Sequence, residues 1–233
     1  MEIARAAATL FVRQGLRATR AEDIAHAAGI APRTFYRYFA SKEEAVAPLY
    51  ATGAQLWTEA VREAPAHLTL PEALRYAVDR TLAPGVGVSA SAWEWARTLI
   101  RMAHTSPALR KVWAEVCQAS ETELAEALAA RLTPARQVPP AADDEPGRNE
   151  ATPAGSEPGR DEAGPADNVA AAEAAEAADP HLRFAAAVAG AAVRVAVESW
   201  ALTDSPPTGP AGPAALAVRN LAALGDFAWR ETE

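Results

Sequence analysis

The chain has 233 residues, half of them apolar, and a formal net charge of −8, enough to bury a substantial core in one large or two modest domains. Its single cysteine, Cys117, excludes an intramolecular disulfide, and neither an apolar leader nor a run of about 20 apolar residues stands out, so a cytoplasmic protein without a membrane partner is expected. The charge is uneven: residues 1–52 carry +2 and the remainder −10, so an acidic body can accompany a basic head.

Ile3, Ala6, Ala7, Leu10 and Phe11 recur at helical spacing, the stripe of a first helix that Gly15 ends. A second helix opens at Arg20, with Glu22 and Asp23 in its first turn, where the positive end of the helix dipole favours acids. Thr19 and Glu22 have the spacing of a capping box. Ile24, Ala27 and Ala28 form its apolar face, and Gly29 stands where a left-handed backbone is required. Pro32 suits the first turn of a third helix, since its fixed φ is helical and its missing N–H is not needed there. Phe35 and Phe39 share an inward face, leaving Arg33, Thr34, Tyr36, Arg37 and Tyr38 on or near the others. Two short helices around a glycine corner are the layout of a helix-turn-helix. Hydroxyls and guanidinium groups bond phosphate oxygens, and an arginine can also reach the O6 and N7 edge of guanine. Ser41 and Glu44 make a capping box for a helix from about Lys42 to Arg62, in which Pro48 should bend the axis. Lys42 lies at its positive end, where a phosphate is favoured.

The segment from Ile3 to Leu49 resembles the DNA-binding domain of the tetracycline-repressor (TetR) family. Asp23-Ile24-Ala25, Ala28-Gly29, Thr34-Phe35-Tyr36, Tyr38-Phe39 and Ser41-Lys42-Glu43 carry the resemblance and align without a gap. It implies that Thr34, Tyr36, Tyr38 and Lys42 touch the DNA backbone and that Arg33 and Arg37 lie nearest the bases, with Thr19 and Arg20 at the entry of the second helix completing the expected contact set. The chain departs from the family at several points, among them Arg20, where Thr or Ser usually starts the second helix. Ala31 replaces the usual Ser, which removes a side-chain cap at a cost of about 1 kcal/mol. The basic arm that many relatives place before the first helix is also missing, so either it is dispensable or translation begins upstream.

Further on, Pro71 opens a helix with Leu74, Ala77, Val78 and Leu82 on one face, broken at Pro84-Gly85-Val86-Gly87. Ser91 precedes a stripe of Trp93, Ala96, Leu99, Ile100 and Ala103, with His104 in the last turn. Ser106-Pro107 restarts a long helix ending near Leu132. Between 133 and 179 Pro, Gly, Ala and acids dominate, and the heptad Glu145–Ala151 recurs almost unchanged as Glu157–Ala163. This stretch cannot bury enough surface to offset an ordering entropy of about 1–2 kcal/mol per residue, so residues 134–168 are expected to be a disordered insert, with helix plausible only over the alanine-rich 169–178. Two helices remain, over 182–202 and 213–229. The expected fold is all-α: a three-helix helix-turn-helix domain over 1–50 and a helical ligand-binding and dimerisation domain over 51–233.

In the second half Trp93, Arg97, Arg101, His104, Trp113, Cys117 and Trp200 are aromatic or polar residues set in apolar helices. Small-molecule sites are built from apolar cavities with a few convergent polar groups, so these are the expected ligand-binding residues. The segments Trp95–Met102, Ser106–Arg110 and Glu121–Leu128 are similar to a TetR subgroup described as binding acyl-CoA-like effectors. The family resemblance also implies that the last two helices pair with their copies in a homodimer, whose two-fold symmetry matches a palindromic site. Against an enzyme, His26, His67, His104 and His181 lack metal-ligand spacing, Cys117 has no evident base and no glycine loop follows a strand; no metal or cofactor is expected. The expected function is a ligand-responsive transcriptional regulator, a repressor, binding palindromic operator DNA; the alternative is a helical small-molecule-binding or adaptor protein with weakened DNA binding.

Overall fold

The computed structural model, which describes residues 1–83, 90–132 and 179–229, contains helices and no strand among those residues. They are α1 (Glu2–Gln14), α2 (Ala21–Ala27), α3 (Pro32–Tyr38), α4 (Ala47–Glu63), α5 (Leu70–Leu82), α6 (Ala90–Thr105), α7 (Pro107–Leu132), α8 (Pro180–Ala201) and α9 (Pro213–Ala222), with one 3-10 turn, Glu44–Val46, ahead of α4. The glycine break at 84–87, the duplicated insert at 134–168 and the alanine-rich run at 169–178 lie outside the described residues.

In the N-terminal part Ala7, Ala8 and Phe11 of α1, Ile24 and Ala25 of α2 and Phe35 of α3 are fully buried against one another. Gly15 ends α1 at φ 85, and Gly29 turns α2 toward α3 at φ 69, a backbone that any side chain would strain. The cap of α2 differs from the Thr19–Glu22 box. Thr19 is 1% exposed; its hydroxyl donates to the Gly15 carbonyl at 2.9 Å and accepts from the Gln14 amide at 3.2 Å. Arg20 is the N-cap residue, and its N–H donates to the Asp23 carboxylate at 2.9 Å. The longer reach needed by Glu22 is spent elsewhere, on Tyr36. The same apolar cluster takes in Leu99 and Ala103 of α6 and Leu109 and Val112 of α7, so the head is fused to the helices behind it.

The expected Ser41–Glu44 box forms only in part: the Ser41 hydroxyl donates to Glu44 at 3.2 Å and accepts the Glu44 N–H at 3.3 Å, but the carboxylate takes the N–H of Ala40, at 2.9 Å, in place of that of Ser41. The 3-10 turn that follows has Glu43 at its N-cap and no side-chain cap. The helix proper starts at Ala47, which places Pro48 in its first turn, where the missing N–H is harmless and no bend is required. A capping box opens α5: the Thr69 N–H and hydroxyl both donate to Glu72, at 2.9 and 2.8 Å. These hydrogen bonds hold the Glu72 carboxyl below its ordinary range. A lowered pKa stabilises the fold above the usual carboxylate range, and the contribution is lost as pH falls through the lowered value. Thr69→Ala keeps the N–H, the larger cause of the lowering, and removes the hydroxyl, so it is expected to destabilise modestly near neutrality, with the deficit to wild type narrowing on acidification, as thermal melts across pH would show.

Trp57 and Val61 (α4), Leu74 and Val78 (α5), Leu124 and Leu128 (α7) and the small residues Ala185, Ala186 and Ala189 (α8) build the main core of the C-terminal half. Arg131 fastens α7 to the end of α4, donating to the carbonyls of Val61, Ala64, Pro65 and Leu68. Contrary to the absence of any span-like run expected above, α8 has the length and mean hydropathy, 1.3, of a membrane span; Leu182, Val193 and Trp200 along it are instead buried in the bundle. The last helix is shorter than the expected 213–229. After Ala222 the N–H groups of Leu224, Gly225 and Phe227 donate to carbonyls three residues back, and these tight turns swing Phe227 onto Trp229, ring centroids 4.8 Å apart.

Candidate nucleic-acid interface and ligand cavity

The burial of Phe35 decides which side of α3 faces outward. Five of the eight residues expected to contact DNA are exposed: Arg20, Arg33, Tyr36, Arg37 and Tyr38. Tyr36 and Tyr38 are 52% and 60% exposed, unusual for rings of that size. Neither ring is left loose. The Tyr36 hydroxyl donates to Glu22 at 3.1 Å, joining α3 to α2, and this hydrogen bond to a carboxylate raises the phenol above its ordinary range. Arg37 donates to the Tyr38 hydroxyl at 3.1 Å and lies 5.0 Å from its ring centroid. Thr34 is half-buried. The result is a face of two guanidinium groups and two phenols on a rigid seven-residue helix, with donors suited to phosphate and base edges.

The remaining two residues are placed differently from the expectation. Thr19 is enclosed, and its hydroxyl is committed to the turn between α1 and α2. The Lys42 ammonium donates to the carbonyls of Leu16 at 2.7 Å and Thr19 at 2.8 Å, with Glu43 4.0 Å away. Both hold the head together from within, for the same reason: the chain between α1 and α2 leaves carbonyls that no helix satisfies.

Behind the head lies a cavity of about 930 Å³, lined by residues of α1, α4, α5, α6, α7 and α8, a size within the range of small-molecule sites. Tyr50, Trp57, Trp93, Trp95 and Trp113 supply aromatic wall, and Cys117, Ser120, Glu121 and Arg194 supply polar groups. The exposed Met1 and Arg5 of α1 mark its open side. Tyr50 sits at the junction of three helices: its hydroxyl donates to the Leu99 carbonyl of α6 at 3.0 Å, and its ring meets Trp113 of α7 edge-on at 5.0 Å. Burial pushes its phenol well above the ordinary range. Trp113 in turn donates to Glu198 at 2.6 Å, and Arg194 lies 3.4 Å from both oxygens of that carboxylate. The Cys117 thiol is pushed up to about 12, chiefly by burial, and stays protonated at neutral pH.

Of the seven expected ligand residues, Trp93, Trp113 and Cys117 line this cavity, and Arg97, Arg101, His104 and Trp200 do not. Trp200 is fully buried, edge-on to Trp93 at 5.1 Å, and its indole N–H donates to the carbonyls of Ser205 and Pro206. Arg97 stacks its guanidinium 4.2 Å from the Trp200 ring centroid and also donates to the Ser205 carbonyl. Arg101 donates to the carbonyls of Ala201 and Thr203 and pairs with Asp204 at 2.8 Å. Together they clamp the loop after α8, whose carbonyls draw the cations away from the cavity. His104 is exposed at the end of α6. Tyr50 and Trp57, absent from the expected set, both line the cavity; they stand seven apart on α4, the spacing of one helical face.

Residues 3–47 match the family described as bacterial regulatory proteins, tetR family. A stretch of 45 residues is 51% identical to KstR2, an HTH-type transcriptional repressor of Mycobacterium tuberculosis, and 51 residues are 49% identical to TcmR, an HTH-type transcriptional regulator of Streptomyces glaucescens. These stretches cover 19% and 22% of this chain, and 22% and 23% of the relatives, so the matches span less than a quarter of either partner. Over nearly the whole chain the fold is similar to that of Thermus thermophilus FadR, a TetR-family transcriptional repressor solved in complex with lauroyl-CoA: TM-score 0.51 and 20% identity, covering 99% of this chain and 96% of that one. The N-terminal helices, with their glycine corner and tyrosine-bearing third helix, thus match the tetR family of bacterial regulatory proteins over residues 3–47, and the fold behind them is similar to that of a member of that family.

Proposed function

We propose that the chain is a cytoplasmic transcriptional repressor that binds palindromic operator DNA as a homodimer and is controlled by a small hydrophobic effector. The observation that carries this reading is the coincidence of the family match over 3–47 with the exposed Arg33, Tyr36, Arg37 and Tyr38 on a helix anchored by Phe35. Residues 1–50 would be the reading head and 51–233 the sensor and dimerisation part. Dimerisation is supported by α8, an apolar helix that still exposes Phe184 and Val195, 58% and 45% accessible; a second copy would cover them. Coupling is supported by Tyr50, which belongs to the first turns of α4 and to the cavity wall at once. An effector pressing on Trp113 would displace Tyr50, tilt α4 and change the separation of the two heads. For the effector, the sequence resemblance points to acyl-CoA-like compounds, and the FadR neighbour holds lauroyl-CoA; the predominantly apolar wall supports at least the hydrophobic part of that expectation.

Duplexes selected from a random pool and titrated by fluorescence anisotropy test the reading. Association should weaken steeply with added salt. Arg33→Ala should relax preference at one base position by about 1–3 kcal/mol while leaving random duplex nearly unaffected. Loss of equal size on selected and random DNA would reject base reading by α3.

A further inference from the structure

We propose that the effector is a planar, fused-ring aromatic compound bearing carbonyl or hydroxyl groups, and not a coenzyme A thioester. The proposal rests on the reading of the cavity as the effector site. Four of the six tryptophans in the chain, Trp57, Trp93, Trp95 and Trp113, line this one cavity together with Tyr50. Aromatic walls reward a ligand with its own ring faces and edges, through offset-stacked or edge-on contacts, beyond the area buried. A flexible methylene chain gains only the area and gives up rotamer freedom on entry.

The polar groups point the same way. The indole N–H groups of Trp57 and Trp93, residues 7% and 3% exposed, have no acceptor among the described residues. A ligand carbonyl reached by a turn of either ring would satisfy a donor that now has none. The neutral Cys117 thiol can donate to a keto group, and the Ser120 hydroxyl, whose own proton goes to the Cys117 carbonyl at 2.7 Å, can accept from a ligand hydroxyl. Phosphates make the opposite demand, for several unpaired arginines or lysines. Among the described lining residues the cationic side chains are Arg5 and Arg194. Arg194 already faces the Glu198 carboxylate, and Glu121 adds a negative charge to the same wall.

The test is calorimetric titration of the full chain, without DNA, with a dihydroxyanthraquinone, lauric acid and lauroyl-CoA in turn. The anthraquinone is expected to bind at least about tenfold more tightly than either of the others. Trp95→Leu, which keeps apolar bulk and removes a ring, should weaken the anthraquinone about tenfold and leave lauric acid within about twofold. Failure of the anthraquinone to bind, or tighter binding of lauroyl-CoA or lauric acid by the unsubstituted chain, overturns the proposal whether or not the variant folds; so does an unchanged anthraquinone affinity in a folded variant. Anisotropy on selected duplex with no ligand present is read on the same preparation. Loss of DNA association with anthraquinone binding intact removes the regulator reading and keeps the ligand assignment, and the converse result does the reverse.

Discussion

Trp200→Ala is expected to lower the free energy of unfolding by about 3–5 kcal/mol, the range for emptying a fully enclosed tryptophan site. Trp200 has no accessible surface, packs edge-on against Trp93 and lies beneath the Arg97 guanidinium. Its indole N–H also serves the carbonyls of Ser205 and Pro206 at 3.1 and 3.2 Å. Alanine would leave a void between α6 and α8, strip a donor from the loop after α8 and remove the surface over which Arg97 spreads its charge. For a protein of this size the loss corresponds to a fall in Tm of about 10 °C. Trp200→Phe keeps most of the apolar contact and forfeits the hydrogen bonds, so it should cost about 1–2 kcal/mol. Thermal and urea unfolding followed by circular dichroism measure both. If both variants fall within about 1 kcal/mol of wild type, Trp200 is not the keystone of this junction. DNA association measured well below the melting temperature should survive, because Trp200 belongs to the α6–α8 cluster and not to the one that anchors α3.

The helices of the head were readable because each is specified by near neighbours. Gly29 takes a positive φ, Pro32 opens α3 and Phe35 defines its inner face, all within a few residues of the structure they determine. The long α7 followed equally well from Ser106-Pro107 at its start. The sorting of α6 did not follow. Periodicity shows that Trp93, Arg97 and Arg101 share a side of the helix, but not that this side abuts a loop about 100 residues away whose carbonyls at Ala201, Thr203 and Ser205 need donors. Backbone demand at a distant loop has no local signature. The α4 wall of the cavity was legible: Tyr50 and Trp57 stand seven apart and carry the same aromatic-at-helical-spacing signal as Trp93 and Trp113.

Lys42 illustrates how one position supports two different experiments. The family resemblance implies a phosphate contact, and such a contact has a signature: its removal lowers the dependence of log K on log salt by about 1 and leaves stability alone. The structure implies another role. With two of its protons given to the Leu16 and Thr19 carbonyls, and Glu43 4.0 Å away, the ammonium ties the α1–α2 turn to the start of the segment leading into α4. Hydrogen bonds from a charged donor that is mostly enclosed contribute about 1.5–3 kcal/mol, so Lys42→Met, which retains the apolar stem, should cost about 2 kcal/mol of stability. DNA association should weaken on selected and random duplexes alike, because the turn that sets α2 and α3 is loosened, while the salt slope changes by well under 1. Arg37→Ala should show the opposite pair of results: among the described residues its exposed guanidinium is held by Tyr38 alone, so the melting temperature should stay within about 1 °C of wild type and the slope should fall by about 1. If Lys42→Met instead lowers the slope and leaves the melt untouched, the ammonium leaves its carbonyls for a phosphate when DNA arrives, and the brace is a resting position.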